Sequence, residues 1–384
     1  MKDLVKSREA IDGLDEKILK LLAERREVAS EIAEYKLEHN QGVMDYAREQ
    51  SKLQELARKA RAQGLPASFI CTVYEIIMKH TVAYEQRYIT EKLNHGDLKR
   101  DTSVAFLGPV GTYSHLASRV WLEHYRGEIT EYDCSSFAEI LGAVEKRTCE
   151  YGLLPIENSN SGSINEVLDV LQLSRANFVG EVFLPIDHAV MSAVPSSIEQ
   201  ITDLYSHPQP VLQCSVWLKE FLPKVTIHYT KSSADAMRKV RELKDPASAA
   251  IASHRAAPYY QLTPLMDNIA NNPHNYTRFI AISMLPVSVP EQIEAKTSIS
   301  FTVAKYTPGS LIAVLNEFSA HGINLTKLSS RPLLAVGRDT WEEIFFADIQ
   351  ANIASPVMQE ILHKIKSYTG TLKILGCYAS ADRR

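Results

Sequence analysis

Cysteine is scarce in this sequence, and its pattern argues against two kinds of cross-linked site. The 384 residues contain five cysteines, an odd number, and no two of them form a CxxC pair. That pattern is typical of reduced thiols in a cytoplasm rather than of a disulfide framework or a zinc site. The histidines form no HExxH motif either, so the sequence predicts no metal and no cofactor.

Long apolar runs and blocks of like charge are missing as well. No window offers the roughly 18 uninterrupted apolar residues that a membrane span requires, and the N-terminus is charged. The net charge is a mild −4, without the basic cluster expected of a surface that binds nucleic acid or membrane. We therefore expect a cytoplasmic protein that acts on small molecules and binds neither nucleic acid nor membrane. The length predicts two to four domains of about 100–200 residues.

The apolar residues of the first part, residues 3–93, follow a helical period. In the first segment they alternate between steps of three and four, at Ile11, Leu14, Ile18, Leu21, Val28 and Ile32. A second helix is predicted from about Asp45 to Ala62, and Gly64-Leu65-Pro66 separates it from a third. Such a long apolar stripe would remain in water unless it packed on another copy, so the pattern predicts an all-helical domain that dimerises.

From about residue 101 the pattern changes to short apolar runs, each followed by a polar turn and a helix. Examples are VAFLG before GTYSH, YGLLPIE before NSNSGS and VTIHYT before KSSAD. Repeated strand–turn–helix units predict mainly parallel α/β sheets, whose ligands sit beyond the carboxyl ends of the strands. The length of this part predicts two lobes around a cleft.

A proline-rich, charged segment, PVSVPEQIEAKT, predicts a linker before the last part of the chain. Residues 298–378 follow the order strand, helix, strand, strand, helix, strand, as in a ferredoxin-like α+β unit. Its first helix is predicted over Pro308–Ala320, because proline suits a first turn and Gly322 follows the end. The chain is therefore expected to be multidomain, with domains at 1–95, 101–285 and 296–384.

Arg8 and Arg25 lie within the apolar stripe of the first helix. A charge on a seam that becomes buried needs an anion, either a nearby glutamate or a ligand. The segment SREAIDGLDEKILKLLAERREVASEIAEYK, with the helices after it, resembles the all-helical class of chorismate mutases over residues 4–90. The resemblance implies that Arg8 acts in the site of a partner subunit. It also implies that the substrate is bound by Arg8, Arg25, Lys36, Asp45, Arg48, Glu49, Thr81 and Glu85.

The chemistry of chorismate accounts for these residue types. Chorismate is a dicarboxylate, and its rearrangement to prephenate needs only a folded conformation and stabilisation of charge growing on an ether oxygen. Arginines bind carboxylates through forked hydrogen bonds. By the resemblance, Lys36 and Glu85 flank the ether oxygen as the catalytic pair, and Glu49 holds the ring hydroxyl. Many bacterial relatives have glutamine in place of Glu85.

Four segments of the middle part, FLGPVGTYSH, LPIENSNSG, YSHPQPVLQCS and NYTRF, resemble the signatures of prephenate dehydratases in the same order. The resemblance implies that prephenate loses its ring hydroxyl and carbon dioxide to give phenylpyruvate. Thr277 matches the family's proposed acid, and Arg278 matches a carboxylate ligand. A hydroxyl can donate the proton when hydrogen-bonding neighbours and closure around the substrate favour the transfer. The remaining polar lining is expected from Asn158, Ser159, Ser206, His207 and Gln213.

Three positions of this part have simpler or open interpretations. His207 precedes a proline and could simply cap the turn. Ser163 and Glu166 have the spacing of a capping box before a helix over residues 164–171. Lys231 stands where related fused enzymes have a more acidic residue.

The last part resembles an ACT domain, an amino-acid-sensing module, through Pro308-Gly309-Ser310-Leu311 and Ser330-Arg331-Pro332. Ser310 and Ser329 stand where relatives more often have alanine and glutamate, so weaker binding than usual is expected. A structural lid without a ligand is the alternative. The resemblance implies that L-phenylalanine is an effector bound at Gly309, Ser310, Leu311, Ser330, Arg331 and Pro332.

These features and the resemblances together imply a cofactor-free enzyme of L-phenylalanine biosynthesis that is at least a homodimer. Its substrates would be chorismate and prephenate. A ligand-binding regulator that has lost catalysis is a rival, but it would not need the cationic set or the acid at Thr277. A mutase fused to prephenate dehydrogenase would need a GxGxxG motif after the first strand, which the sequence lacks.

Overall fold

The computed structural model describes residues 4–95, 100–305, 307–334 and 342–381. Two compact units are present, Met1–Leu98 with Ser288–Glu294 and Lys99–Val287 with Ala295–Arg384. Among the helices of the described residues, none combines the length and the apolar character needed to cross a membrane.

Three helices form the first unit, as the sequence predicted. They are α1 (Leu4–Glu38), α2 (Tyr46–Ala62) and α3 (Ala67–His95). Asp45 caps α2, because its carboxylate accepts the backbone N–H of Arg48 at 3.0 Å. The C-terminal half of α1 packs on α3, where Ala29 and Ala33 are buried and their small side chains permit close approach.

The predicted apolar stripe of α1 is largely exposed within the described chain. Ile11 is 57% exposed, Leu14 56%, Ile18 54% and Leu21 63%. Large apolar side chains in a continuous row are uncommon on the surface of a monomer and mark an interaction surface. This stripe is an apolar surface that the described helices of the first unit leave uncovered.

The second unit begins with a lobe built on one mixed sheet. Its strands are β1 (Thr102–Leu107), β2 (Ile129–Cys134), β3 (Tyr151–Asn158), β4 (Gly162–Ser163), β5 (Asn177–Pro185) and the later β11 (Tyr276–Ser283). Its helices are α4 (Tyr113–Leu122), α5 (Phe137–Glu145) and α6 (Asn165–Leu173). The strand order is β2-β1-β3-β11-β5, and β4 pairs with β3.

A second lobe lies between β5 and β11 in the sequence. Its strands are β6 (Ala189–Ser192), β7 (Asp203–Ser206), β8 (Thr226–Tyr229), β9 (Ser248–Ala252) and β10 (Thr263–Met266), in the order β10-β6-β9-β7-β8. Its helices are α7 (Pro208–Gln213), α8 (Ser215–Phe221), α9 (Ser233–Leu243) and α10 (Ala257–Tyr260), with 3₁₀ turns at Ile198–Gln200 and His254–Ala256. The two sheets together give the predicted two lobes.

The prediction of mainly parallel sheets was wrong. Pairs β1–β2, β1–β3, β7–β8 and β7–β9 are parallel, but β11 is antiparallel to both β3 and β5, and β6 is antiparallel to β9 and β10. The chain leaves the first sheet after β5, builds the second lobe and returns as β11. It therefore enters the first sheet from the opposite direction, which no local pattern signals.

The predicted capping box at Ser163 was also wrong. Ser163 belongs to the short strand β4, and its Oγ lies 3.0 Å from the Oγ of Ser329. Helix α6 has Ile164 at its N-cap position, without a side-chain cap. A long-range contact therefore replaces the local hydrogen bond that the spacing suggested.

The C-terminal part has the predicted order of strand, helix, strand, strand, helix, strand. The elements are β12 (Ala295–Val303), α11 (Ser310–Ala320), β13 (Leu325–Pro332), β14 (Glu343–Ile349), α12 (Pro356–Ile365) and β15 (Thr369–Ala379). The sheet order is β13-β14-β12-β15. Helix α11 begins two residues later than predicted, because Gly309 adopts a left-handed conformation (φ 88°) at the N-cap position.

The C-terminal sheet and the first lobe share one hydrophobic core. Phe346 and Leu375 of the C-terminal sheet belong to the same buried cluster as Phe178 of β5. At Gly376 a Cβ would lie 2.1 Å from the carbonyl oxygen of Phe178, so only glycine permits this close approach. Residues of the C-terminal sheet can therefore act directly on the first lobe.

Two candidate active sites

Lys36 and Glu85 form the centre of a polar cluster in the first unit. Lys36 Nζ lies 2.7 Å from Glu85 Oε2 and also donates to the carbonyl oxygen of Val43 at 2.8 Å. Glu85 is only 5% exposed. The packing of α1 on α3 thus holds a cation and a carboxyl group together.

Arg25 and Thr81 extend this cluster along the same two helices. The Arg25 guanidinium donates to Thr81 Oγ1, and Thr81 in turn donates to the carbonyl oxygen of Ile77 at 2.8 Å. Thr81 stands one turn before Glu85, so the two side chains share a face of α3. Arg48, exposed at the start of α2, lies close enough to interact with the charge of Glu85.

Two other predicted residues take less central places. Glu49 is half-buried in the first turn of α2, and Asp45 acts as the cap of that helix. The cap is a structural role, and it fixes the start of α2, whose first turn carries Arg48 and Glu49.

The carboxyl group of Glu85 has a raised pKa. Burial raises the pKa above the ordinary value, although Lys36, Arg25 and Arg48 favour the carboxylate. Glu85 therefore takes up a proton at a higher pH than an exposed glutamate does. Only the protonated form can donate a hydrogen bond to a ligand oxygen.

Arg8 is remote from this cluster. It is exposed on α1, 17 residues before Arg25, and each residue of a helix adds about 1.5 Å, so about 26 Å separates them along the axis. Arg8 therefore cannot reach the Lys36–Glu85 cluster of its own chain.

Thr277 and Asn158 face each other in the first lobe of the second unit. They are register partners on the antiparallel strands β11 and β3, and Asn158 Nδ2 donates to Thr277 Oγ1 at 3.0 Å. Because the threonine oxygen accepts from Asn158, its own hydrogen remains available to a ligand. Each residue is 8% exposed, and such shielding strengthens a hydrogen bond.

The turn after β3 fixes the orientation of the Asn158 amide. Its Oδ1 accepts the backbone N–H groups of Asn160 at 3.0 Å and of Ser161 at 3.1 Å. Since Oδ1 is engaged there, Nδ2 must be the atom that points to Thr277. The geometry of the pair therefore depends on the position of the segment 158–161.

Ser159 and Asn275 complete this half of the site. Ser159 Oγ accepts the backbone N–H of Tyr276 at 2.9 Å, which ties the turn to β11. Asn275 is 2% exposed, and its Oδ1 accepts from Asn158 Nδ2 at 2.7 Å. Asn275 was not among the predicted residues, although it is the first residue of the NYTRF segment.

The predicted residues of the second lobe lie around α7. Ser206 is fully buried and donates to the carbonyl oxygen of His207 at 3.0 Å. His207 caps α7, because its Nδ1 accepts the backbone N–H of Gln209 at 3.3 Å, so the simpler interpretation of this histidine describes its contact. Gln213 Oε1 lies 2.7 Å from His188 Nε2.

His188 and Tyr113 link the two lobes and were not predicted. The Tyr113 hydroxyl donates to the carbonyl oxygen of Asp187 at 2.6 Å and lies 3.1 Å from His188 Nδ1. Burial lowers the pKa of His188, which favours the neutral imidazole. Tyr113 belongs to the GTYSH segment, whereas nothing marks His188 in the sequence except its position after a strand.

Arg278 has different surroundings from those predicted. Consecutive strand residues point to opposite faces, so its guanidinium lies on the face opposite to the Thr277 hydroxyl. It is 1% exposed there and donates to Glu181 at 2.7 Å, Glu157 at 3.0 Å, Asp348 at 2.5 Å and the Tyr378 hydroxyl at 2.9 Å. These contacts give no support to a role as ligand of a substrate carboxylate.

The predicted effector residues of α11 stand at its start. Gly309 and Ser310 form the first turn, where Ser310 Oγ lies 2.9 Å from Thr307 Oγ1, and Leu311 packs against the core. A shallow cavity of about 330 Å³ lies between α11 and β13 and is lined by Leu315, Leu325, Thr326, Lys327 and Leu328.

The other predicted effector residues lie on β13. Ser330 and Pro332 are exposed. Arg331 instead binds Asp169 of α6, with Nε–Oδ1 at 2.8 Å and a second contact at 2.7 Å. This segment therefore touches the first lobe directly.

The described part of the chain contains no group of side chains that could bind a metal ion. No cluster of three or more His, Cys, Asp or Glu residues there is arranged to hold an ion, and all five cysteines are unpaired.

Two family models match the sequence. The model for chorismate mutase type II matches residues 7–86, and the model for prephenate dehydratase matches residues 104–286. The first match contains the Lys36–Glu85 cluster, and the second contains Thr277 and Asn158.

The chain is also similar to individual proteins. The chain is 38% identical over 379 residues to a bifunctional chorismate mutase/prephenate dehydratase of Enterobacter agglomerans, covering 99% of this chain and 96% of the relative. A prephenate dehydratase of Arthrobacter aurescens, solved with L-Phe, covers 73% of this chain and 91% of its own, with TM-score 0.65 and 26% identity. The quorum-quenching acylase GqqA covers 73% of this chain and 100% of its own, with TM-score 0.65 and 27% identity.

Proposed function

We propose that this chain, which belongs to the bifunctional chorismate mutase/prephenate dehydratases, carries out its two reactions at two separate sites. The protein converts chorismate to prephenate, and prephenate to phenylpyruvate with loss of carbon dioxide and water, in L-phenylalanine biosynthesis. The mutase reaction takes place at the Lys36–Glu85 cluster, and the dehydratase reaction at Thr277 and Asn158. A cytoplasmic location stays a prediction from the sequence.

The mutase assignment depends mainly on one observation, the contact of Lys36 with a buried Glu85 across two helices. Arg25 and Arg48 bind the carboxylates of chorismate and hold it folded. Lys36 and protonated Glu85 donate to the ether oxygen, where charge grows as the carbon–oxygen bond breaks. No group of the protein needs to form a covalent bond with the substrate.

The dehydratase assignment depends on the contact of Asn158 with Thr277. Asn158 orients the Thr277 hydroxyl so that its hydrogen points to the leaving hydroxyl group of prephenate. The bond between the ring and its carboxylate breaks, its electrons enter the ring and carbon dioxide leaves. The ring carbon–oxygen bond breaks, and the proton from Thr277 completes a molecule of water. Thr277 then regains a proton from solvent. Aromatisation of the ring supplies the driving force, so modest acid assistance is sufficient.

We propose that the helical unit dimerises through the stripe of α1, which would bring Arg8 of a second copy to the Lys36–Glu85 cluster. The exposed stripe and the distance of Arg8 from its own cluster both support this arrangement. Burying one large apolar side chain contributes about 1.5–3 kcal/mol, so a row of them suffices for a stable contact.

Acidic residues in the stripe should therefore dissociate the helical dimer. We expect Leu14→Glu/Ile18→Glu to lower mutase activity at least about tenfold, because each buried carboxylate costs several kcal/mol and Arg8 leaves the site. Lys20→Glu is the matched control, since it stands about 200° around the helix from Ile18. Mutase assays and sedimentation velocity would be compared. Full mutase activity in the double variant would contradict the dimer.

We propose that the C-terminal part is an ACT regulatory domain whose effector is L-phenylalanine. Its element order, the left-handed Gly309 and the cavity between α11 and β13 support this proposal. The similar dehydratase from Arthrobacter aurescens was solved with L-Phe. The domain boundaries near residues 95, 285 and 296 belong to the same proposal.

Titration calorimetry should detect L-phenylalanine binding, weaker than is usual because of Ser310 and Ser329. If phenylalanine inhibits by lowering affinity, prephenate must weaken phenylalanine binding by the same factor. Measuring the phenylalanine affinity with and without prephenate checks both statements. The absence of any binding heat at millimolar phenylalanine would count against an effector site.

The likeness to an acylase does not lead us to a second function. A serine nucleophile needs a base within hydrogen-bonding reach. Ser253 and His254 lie together in the second lobe, but both contact Asp187, at 2.7 Å and 3.2 Å. The serine therefore donates to a carboxylate and not to the histidine.

A further inference from the structure

Alternate residues of β13 contact the first lobe at three points. Residues two apart on a strand share a face, so the three contacts form one row. The pairs are Lys327 Nζ with Glu157 Oε2 at 2.8 Å, Ser329 Oγ with Ser163 Oγ at 3.0 Å, and Arg331 with Asp169 at 2.7 Å. The first two contacted residues flank the segment 158–162, which begins with Asn158.

Glu157, the residue before Asn158, is held from two sides. Its Oε1 accepts from Arg278 at 3.0 Å, and its Oε2 accepts from Lys327 at 2.8 Å. Arg278 is also the register partner of Glu157, and it directly follows Thr277. The pair Glu157–Arg278 therefore lies beside the pair Asn158–Thr277 on the same two strands.

The cluster around Arg278 balances three cations with three carboxylates. Burial alone would raise the pKa of Glu157, but Lys327 and Arg278 outweigh it and hold that pKa below its ordinary value. The Lys327 side chain is only 6% exposed. Loss of its charge would leave an excess of buried negative charge, which favours a rearrangement of Glu157. The members are Arg278, Lys296, Lys327, Glu157, Glu181 and Asp348.

We propose that Lys327 is a positioning residue for the dehydratase reaction. It fixes Glu157 and, through the adjacent strand pair, the 3.0 Å contact between Asn158 and Thr277. The C-terminal sheet then helps to position the dehydratase residues, in addition to its proposed regulatory role. This inference rests on the assignment of the reaction to Thr277 and Asn158. If Thr277→Ala kept full dehydratase activity, that assignment would fail regardless of what Lys327 does.

Lys327→Met tests the inference, because methionine keeps an unbranched chain and removes the charge. We expect the dehydratase kcat to fall about tenfold and KM to change less than about twofold, since Lys327 does not touch the substrate. Mutase activity in the same protein should be unchanged. Lys327→Arg keeps a donor for Glu157 and should restore at least about half of the lost kcat.

Lys373→Met is the matched control. Lys373 is another lysine of the C-terminal sheet that contacts the first lobe, but it donates to the carbonyl oxygen of Ser174 and not to the catalytic strands. This variant should keep the wild-type kcat. Equal losses in the two variants, or a normal kcat in Lys327→Met, would overturn the proposal.

If thermal unfolding shows that Lys327→Met does not fold, a second variant tests the same proposal. Lys327→Met/Glu157→Gln removes both charges of one ion pair, so the remaining cluster stays balanced, and it leaves residue 157 without a donor from β13. It should fold and show the same fall in kcat at nearly unchanged KM. A normal kcat in this folded double variant would overturn the proposal.

Discussion

Thr277→Ala should lower the conversion of prephenate to phenylpyruvate about 10²- to 10⁴-fold, the usual contribution of a positioned proton donor. The variant removes the hydroxyl that Asn158 orients, and alanine offers no proton in its place. Conversion of chorismate to prephenate should stay near normal, because the mutase residues belong to other helices and another unit. Both rates would be measured on one preparation.

Two companion variants separate loss of the acid from damage to β11. Thr277→Ser keeps a hydroxyl and should retain much of the activity. Ser283→Ala removes another buried hydroxyl from the same strand, where it accepts the backbone N–H of Leu285 at 3.3 Å, and should leave the rate unchanged. An active Thr277→Ala protein would remove Thr277 from the mechanism.

Mutase activity should rise as pH falls, and Glu85→Gln should remove that dependence. The Glu85 carboxyl can donate to the ether oxygen only when protonated, and burial raises its pKa. The protonated fraction grows as the pH falls toward that raised pKa, so we expect mutase activity to increase between pH 7 and pH 5. Glutamine donates at every pH and should give a flat profile with higher activity at neutrality.

Neighbouring residues on α3 provide the controls for this profile. Gln86 cannot replace Glu85, since it points about 100° further around the helix. Glu91→Gln changes another buried glutamate of the same helix and should leave the acid dependence in place. If Glu85→Gln kept the wild-type dependence on pH, protonation of Glu85 would not control the mutase.

The sequence was sufficient to predict features that depend on local periods and caps. The three-helix unit and the C-terminal strand–helix order follow from spacing that each segment carries by itself, whereas the two lobes were predicted from the length of the middle part. The start of α2 near Asp45 is of this kind, although the role of Asp45 as the cap was found only in the structure. The mutase cluster was predictable through resemblance, because each of its residues matches a family position.

The surroundings of Arg278 could not be predicted from the motif that contains it. The segment NYTRF resembles a catalytic signature, and the resemblance treats Thr277 and Arg278 as neighbours in one site. The strand period places them on opposite faces, and this alternation was already readable in the sequence. What could not be read was the identity of the partners, Glu181 and Asp348, because the fold of two distant segments brings them together.

The connections between the lobes and the contacts of β13 could not be predicted from the sequence for the same reason. β11 joins its sheet antiparallel only because the chain returns from a second lobe. His188 acquires its partners Tyr113 and Gln213 from two different lobes. Ser163 met the local rule for a capping box, but the tertiary contact with Ser329 prevailed. Local spacing carries no information on such long-range pairs.

A reciprocal assay tests whether two independent sites in one chain carry the two reactions. Thr277→Ala and Lys36→Met would each be given chorismate and, separately, prephenate. We expect Thr277→Ala to form prephenate from chorismate but little phenylpyruvate from prephenate. We expect the reverse for Lys36→Met, which loses a cation at the ether oxygen but keeps the dehydratase site. If either folded variant lost both reactions together, the two-site account would be contradicted.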